Sequence, residues 1–123
     1  MKTLSSGVLL ACLLLTVSQP ALAGVEVVRI STPFHARHLE GVVVDPVGEP
    51  ISGVTVEDVD ETANKVLATV TTDAQGRFAF PHAPSGTSHF LHLRARGFNP
   101  LEVIVKVGGL PRPTLHLKMP IAS

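Results

Sequence analysis

Short apolar runs separated by proline and glycine recur along the chain and restrict its fold more than any other sequence feature. Within the runs, apolar and polar residues alternate as they do in half-buried β-strands. The Pro, Gly and Asp residues between the runs are typical of turns. Helix signals are weak, since the best stretch, 58–68, ends in a strand-like alternation. The sequence therefore predicts an all-β sandwich of seven or eight short, mainly antiparallel strands.

Two turns and a core follow from the same pattern. Residues 45–50 break the chain with two prolines and a glycine, and residues 73–76 form a hairpin turn. In that hairpin the Asp73 carboxylate is expected to accept backbone amides and Gly76 to adopt a positive φ. The predicted strands are 39–44, 53–58, 65–72, 77–80, 89–96, 101–107 and 114–118. The predicted core consists of Leu39, Val43, Val54, Val56, Val70, Phe78, Phe80, Leu91, Leu93, Phe98, Leu115 and Leu117.

The first residues have the order of a signal peptide. Lys2 precedes an apolar run at 8–17, and Ala21 and Ala23 provide small side chains for a signal peptidase. The run is shorter than the roughly 20 apolar residues that span a bilayer. We therefore expect cleavage after Ala23 and an exported protein, periplasmic or secreted. A weaker alternative is lipidation of Cys12, because the hydrophobic stretch before that cysteine is short.

This assignment divides the chain into a signal peptide (1–23), a flexible N-terminal segment (24–38), one domain (39–118) and a short tail (119–123). No cysteine follows the signal, so the core alone must hold the domain. The formal net charge is zero, which argues against nucleic acid as a partner, because nucleic acid requires a basic surface. No stretch after Ala23 is apolar enough for a membrane span.

Three segments resemble a known family. They are GVVVDPVGEPISGVTV at 41–56, TTDAQGRFAF at 71–80 and LHLRARGF at 91–98. Together they resemble the carboxypeptidase regulatory-like domain, a transthyretin-like (prealbumin-like) β-sandwich with a carbohydrate-binding-like fold. The resemblance implies an accessory or binding module of the kind that accompanies carboxypeptidases, outer-membrane receptors or polysaccharide-degrading enzymes. It specifies a fold better than a function, because each motif preserves a turn or a core position.

The best candidate binding surface is an alternating stripe of Phe90, His92, Arg94 and Arg96. These residues are predicted to face solvent, opposite the core-facing Leu91 and Leu93, and arginine and aromatic side chains are enriched in binding surfaces. The stripe predicts a non-catalytic module that contacts a protein or glycan of the cell envelope and needs no cofactor. A glycan is less favoured because the chain has no Trp or Tyr.

Two alternatives involve chemistry. His92 and His116 are both predicted to face outward and would form part of a metal site if their strands paired, although a closed site needs three or four ligands. A transthyretin-like hydroxyisourate hydrolase is less favoured, since that enzyme ends in Tyr-Arg-Gly-Ser and this chain ends KMPIAS at 118–123. The acidic residues Asp58, Asp60 and Glu61 are interpreted as a turn cluster.

Overall fold

The computed structural model describes residues 26–122 and assigns no helix to them. Eight strands form two sheets with the orders β1-β7-β6-β3-β4 and β5-β2-β8. Four of the strand pairs are antiparallel, and two, β1 with β7 and β2 with β8, are parallel. The predicted all-β sandwich is confirmed. Its strands are β1 (Val28–Ala36), β2 (Glu40–Val44), β3 (Thr55–Asp60), β4 (Lys65–Thr71), β5 (Arg77–Ala79), β6 (Ser88–Arg94), β7 (Leu101–Val107) and β8 (Leu115–Lys118).

The core lies between the inward faces of the two sheets. Alternate residues of β6 and β7 supply its centre, and β2, β5 and β8 cover it from the other side. Ten of the twelve predicted core residues are buried; the other two, Val70 and Phe98, are partly buried against the core. Burial of these apolar side chains is the main source of stability in a domain of this kind.

The segment 24–38 was predicted to be flexible, and this is wrong for the part that forms β1. Val28, Ile30 and Phe34 pack against the core, and the strand pairs in parallel with β7. The pairing shifts register between Ile30 and Phe34, around Pro33. A bulge of this kind interrupts the alternation of apolar and polar residues, which is why the sequence pattern concealed the strand.

The predicted tail is also part of the domain. The side chain of Met119 is completely buried in the core. The carbonyl of Pro120 accepts a hydrogen bond from the amide of Asn99 at 2.9 Å, and Ile121 forms a β-bridge with Phe98. The chain is thus anchored beyond the predicted boundary at residue 118.

The strand directions give the sandwich two ends. The turn end contains the connections 45–54, 72–76 and 95–100, and the loop end contains the connections 37–39, 61–64, 80–87 and 108–114. At the turn end, Asp73 Oδ1 accepts hydrogen bonds from the amides of Arg77 (2.8 Å) and Gln75 (2.9 Å). These bonds lower the pKa of Asp73, with the Arg77 amide as the largest cause. Gly76 has a φ of 73°, so the predicted hairpin turn is confirmed.

The predicted signal peptide, its cleavage after Ala23 and the alternative lipidation of Cys12 lie outside the described residues. Between residues 26 and 122 no helix is long and apolar enough to cross a membrane.

Candidate functional site

The predicted stripe lies partly on one face of the five-stranded sheet. Phe90, His92 and Arg94 alternate along β6 with Leu91 and Leu93, which are fully buried. The first three side chains therefore share the outer face of the sheet. Arg96 lies beyond the last residue of β6, in the connection to β7 at the turn end.

Phe90 is covered by other side chains and is not exposed to solvent as predicted. Only 9% of its surface is accessible. The guanidinium of Arg29, from β1, lies 4.8 Å from the centre of its ring. The centres of the Phe90 and His92 rings are 5.0 Å apart in an edge-to-face arrangement. A cation over an aromatic face is attracted by the ring quadrupole. Phe90 thus belongs to the packing of the sheet surface.

Arg29 is the centre of an ionic network that the sequence did not reveal. Its guanidinium lies 2.8 Å from a carboxylate oxygen of Glu102 and 3.3 Å from one of Glu61. The hydrogen bond to Glu102 is the main cause that raises the pKa of Arg29 above its ordinary value. Glu102 also lies 3.2 Å from His92 Nε2. That nitrogen is inaccessible to solvent and makes no hydrogen bond of good geometry with any described residue.

The two arginines of the stripe have different environments. Arg94 donates a hydrogen bond to Glu57 at 3.0 Å and remains about half exposed, with 54% of its side chain accessible. Arg96 is exposed and forms no ion pair with any residue between 26 and 122. Both line an open cleft of about 430 Å³ at the turn end, here named the arginine cleft. Its other lining residues are Gly53, Thr55, Ala95, Phe98 and Pro100.

The structure does not bring His92 and His116 together. His92 is on β6 in the five-stranded sheet and His116 is on β8 in the three-stranded sheet, and each faces outward on its own sheet. The strands of the two histidines therefore do not pair, and the condition for a shared metal site is not met. His116 Nδ1 instead lies 2.9 Å from the carbonyl oxygen of Thr114. Across the described part of the chain no three His, Cys, Asp or Glu residues are grouped in a way that would hold a metal ion.

A buried polar cluster at the loop end escaped the sequence analysis. Asp58 was assigned to an exposed acidic turn, but it is a buried residue of β3. Its Oδ2 lies 2.9 Å from His89 Nδ1, and His89 Nε2 lies 2.8 Å from Thr87 Oγ1. The signal was available in the alternation, since Asp58 follows the core residues Val54 and Val56 at the same spacing.

The hydroxyl of Thr87 has two polar partners within hydrogen-bonding distance. The carbonyl oxygen of Pro84 lies 2.6 Å from Thr87 Oγ1, and His89 Nε2 lies 2.8 Å from it. A neutral imidazole carries one N–H, so His89 donates either to Asp58 through Nδ1 or to Thr87 through Nε2, and not to both. The hydrogen bonds of this cluster join the 80–87 connection to β3 and β6.

The sequence model of the carboxypeptidase regulatory-like domain matches residues 38–119. The match contains β2 to β8 and leaves out β1. A comparison with curated proteins gives no match. The matched residues make up more than half of the chain, and the observed sandwich agrees with the fold that the resemblance implied. The chain therefore belongs to the carboxypeptidase regulatory-like domain family.

Proposed function

We propose that the protein is a non-catalytic binding module that contacts a protein or glycan of the cell envelope through the arginine cleft. The proposal rests chiefly on Arg96, an exposed guanidinium without an ion pair in the described part of the chain, located beside Arg94. Members of this family are non-catalytic modules.

The composition of the cleft suits recognition of an acidic or hydroxyl-rich surface. A guanidinium presents several donors in a plane, which match a carboxylate or a pair of sugar hydroxyls. Phe98 is partly buried against the core and lines the same cleft. An apolar surface next to fixed donors is the usual arrangement of a binding site.

The Phe90 and His92 part of the predicted stripe has a supporting role in this proposal. The ion pair of Arg29 with Glu102 and the Arg29 guanidinium over the Phe90 ring occupy that surface. Arg94 is bonded to Glu57 at the end of the same strand, so its guanidinium is held in a defined position beside Arg96. A fixed donor loses less side-chain entropy when a ligand binds.

The proposed place of action is outside the cytoplasm, either the periplasm or the medium. This part of the proposal rests on the signal peptide predicted from Lys2, the apolar run at 8–17 and Ala23. Expression of the full chain followed by determination of the N-terminal residue of the exported protein tests it. A first residue of Gly24 is expected, and an intact Met1 in the cytoplasm would contradict it.

The binding proposal is tested by capture of envelope proteins and glycans on the immobilised protein. The Arg96→Ala variant is expected to bind its captured partner at least about tenfold more weakly, with an unchanged unfolding midpoint. Lys118→Ala is the matched control, because Lys118 is an exposed cation on β8, in the other sheet. Equal binding by the wild type and Arg96→Ala would refute the arginine cleft as the binding site.

A further inference from the structure

The loop end carries a second cleft, which the proposed function does not use. It has a volume of about 300 Å³ and lies between the β1–β2 turn and the connection from β7 to β8. The turn contributes Arg37 and His38, and the connection contributes Arg112 and Thr114. Its remaining lining residues are Ala36, Glu40, Pro111, Pro113 and Leu115. We name it the loop-end cleft.

The two walls of this cleft are held by backbone contacts. The amide of Gly108 donates a hydrogen bond to the carbonyl of Ala36 at 2.8 Å. Gly108 has a φ of 112°, and a Cβ at this position would collide with Ser85. Arg112 lies between two prolines, whose rings restrict the backbone on both sides. The two arginines therefore extend from segments with limited freedom.

Positive charge is concentrated around the loop-end cleft. Neither Arg37 nor Arg112 forms an ion pair with any residue in the range 26–122. Lys106 is close by on β7, where it pairs in register with His35 of β1. Glu40 is the one carboxylate that lines the cleft.

The order of the strands separates this charge from the acidic residues of the loop end. Asp60 and Glu61 lie at the β3–β4 hairpin, and the order β1-β7-β6-β3-β4 puts that hairpin at the opposite edge of the sheet. Glu61 reaches Arg29 on the outer face of the sheet, but neither Asp60 nor Glu61 forms an ion pair with Arg37 or Arg112 within the range 26–122.

We propose that the loop-end cleft binds a phosphate group. Two guanidinium groups, the imidazole of His38 and the hydroxyl of Thr114 provide donors from two facing segments. Donors on both sides suit a tetrahedral oxyanion, since arginine forms paired hydrogen bonds with phosphate oxygens. The group is either a soluble phosphate or the headgroup of an anionic phospholipid. This site is independent of the arginine cleft, because it lies at the other end of the sandwich.

The test is a titration of the purified protein with inorganic phosphate, followed by two-dimensional NMR at constant ionic strength. Saturable shifts are expected in the signals of Arg37, His38, Arg112 and Thr114. The double variant Arg37→Ala/Arg112→Ala is expected to bind at least about tenfold more weakly. Arg112→Ala alone carries the test if the double variant does not fold. Arg96→Ala and Lys118→Ala serve as controls and should bind phosphate like the wild type.

A second measurement distinguishes the two sources of phosphate. Vesicles of phosphatidylglycerol in phosphatidylcholine are compared with vesicles of phosphatidylcholine alone. Binding to the anionic vesicles that depends on Arg37 and Arg112 assigns the cleft to a lipid headgroup, and binding to inorganic phosphate alone assigns it to a soluble ligand. Shifts that spread over the surface, or that persist unchanged in the double variant, would overturn the proposal. Loss of partner binding in Arg96→Ala leaves this result unaffected, so the two proposals fail separately.

Discussion

The turn end and the loop end of the sandwich are held by different kinds of contact. At the turn end, the carboxylates of Asp45 and Asp73 each accept amides within the next four residues. At the loop end, the hydrogen bond between Asp58 and His89 joins residues that are 31 positions apart. Long-range contacts are also present at the turn end, where Thr72 Oγ1 accepts the amide of Val54 and donates to the carbonyl of Ile51. The difference is therefore that the turns at 45–49 and 73–77 have their own local carboxylate contacts, whereas the Asp58 and His89 pair depends on the arrangement of strands.

The two candidate clefts follow the same division. The arginine cleft is built on the end of β6 and the connection that follows it, so most of its residues are neighbours in the sequence. The loop-end cleft combines residues 36–40 with residues 111–115, which the parallel pairings of β2 with β8 and of β1 with β7 bring together. Variants in the arginine cleft therefore test mainly contacts between sequence neighbours, and variants in the loop-end cleft test contacts that depend on strand pairing.

The largest effect is expected from Gly76→Ala at the turn end. A Cβ on Gly76 would lie 2.6 Å from the carbonyl oxygen of Val43, and its φ of 73° is unfavourable for alanine. The strain and the collision together should lower the free energy of unfolding by about 3 kcal/mol. Urea unfolding at equilibrium measures this value.

Gly48→Ala is the matched control for that prediction. Gly48 also has a positive φ, but a Cβ there would meet no atom within 4 Å. Its cost should be limited to about 1 kcal/mol from the backbone conformation. If the two variants were equally stable, the close approach of Gly76 to β2 would have no energetic role.

A smaller effect is expected at the loop end, from the pair of the buried Asp58 and the partly buried His89. Their side chains are 10% and 13% exposed. Asp58→Asn and His89→Gln should each lower the free energy of unfolding by about 2 kcal/mol, because each leaves a buried polar partner imperfectly satisfied. The double variant should lose less than the sum, with a coupling of about 1 kcal/mol. A double-mutant cycle measures the coupling, from the urea unfolding of the wild type, the two single variants and the double variant.

The exposed pair of Glu57 and Arg94 provides the comparison for this cycle. Its guanidinium is half exposed to solvent, and coupling in such a pair is typically below about 1 kcal/mol. Both pairs join distant residues, so a stronger coupling there than between Asp58 and His89 would mean that burial does not strengthen the polar contact at the loop end.

The sequence predicted the features that depend on neighbouring residues. Alternation along β6 identified Leu91 and Leu93 as core residues, and the residue types at 73–76 identified the hairpin turn. It failed where distant residues meet. The cation over Phe90 comes from Arg29, on a strand whose alternation is broken around Pro33.

The candidate sites show the same limit. The stripe of Phe90, His92 and Arg94 was predicted on one face, because side chains alternate along a strand. Its ionic partners Glu57 and Glu102 lie on β3 and β7, and period-two alternation gives no information on which strands are neighbours. For the same reason the sequence could not show that the strands of His92 and His116 lie in different sheets.

The smallest effect is expected from Asp73→Asn, which removes a charge at the turn end and keeps an accepting oxygen. The amides of Arg77 and Gln75 hold the pKa of Asp73 below the ordinary aspartate value of 3.8. A carboxylate whose pKa is lower in the folded state stabilises the fold above its unfolded pKa, and this contribution disappears as the pH falls through the folded pKa. The variant should therefore have a slightly lower urea midpoint than the wild type at about pH 6, and the difference should vanish near about pH 2. Gln75→Ala, which keeps the Asp73 carboxylate, is the control, and its midpoint difference from the wild type should not depend on pH in this range. A constant difference for Asp73→Asn across the range would mean that the turn is stabilised by its backbone geometry alone, and that the charge on Asp73 does not contribute to the local specification of this end.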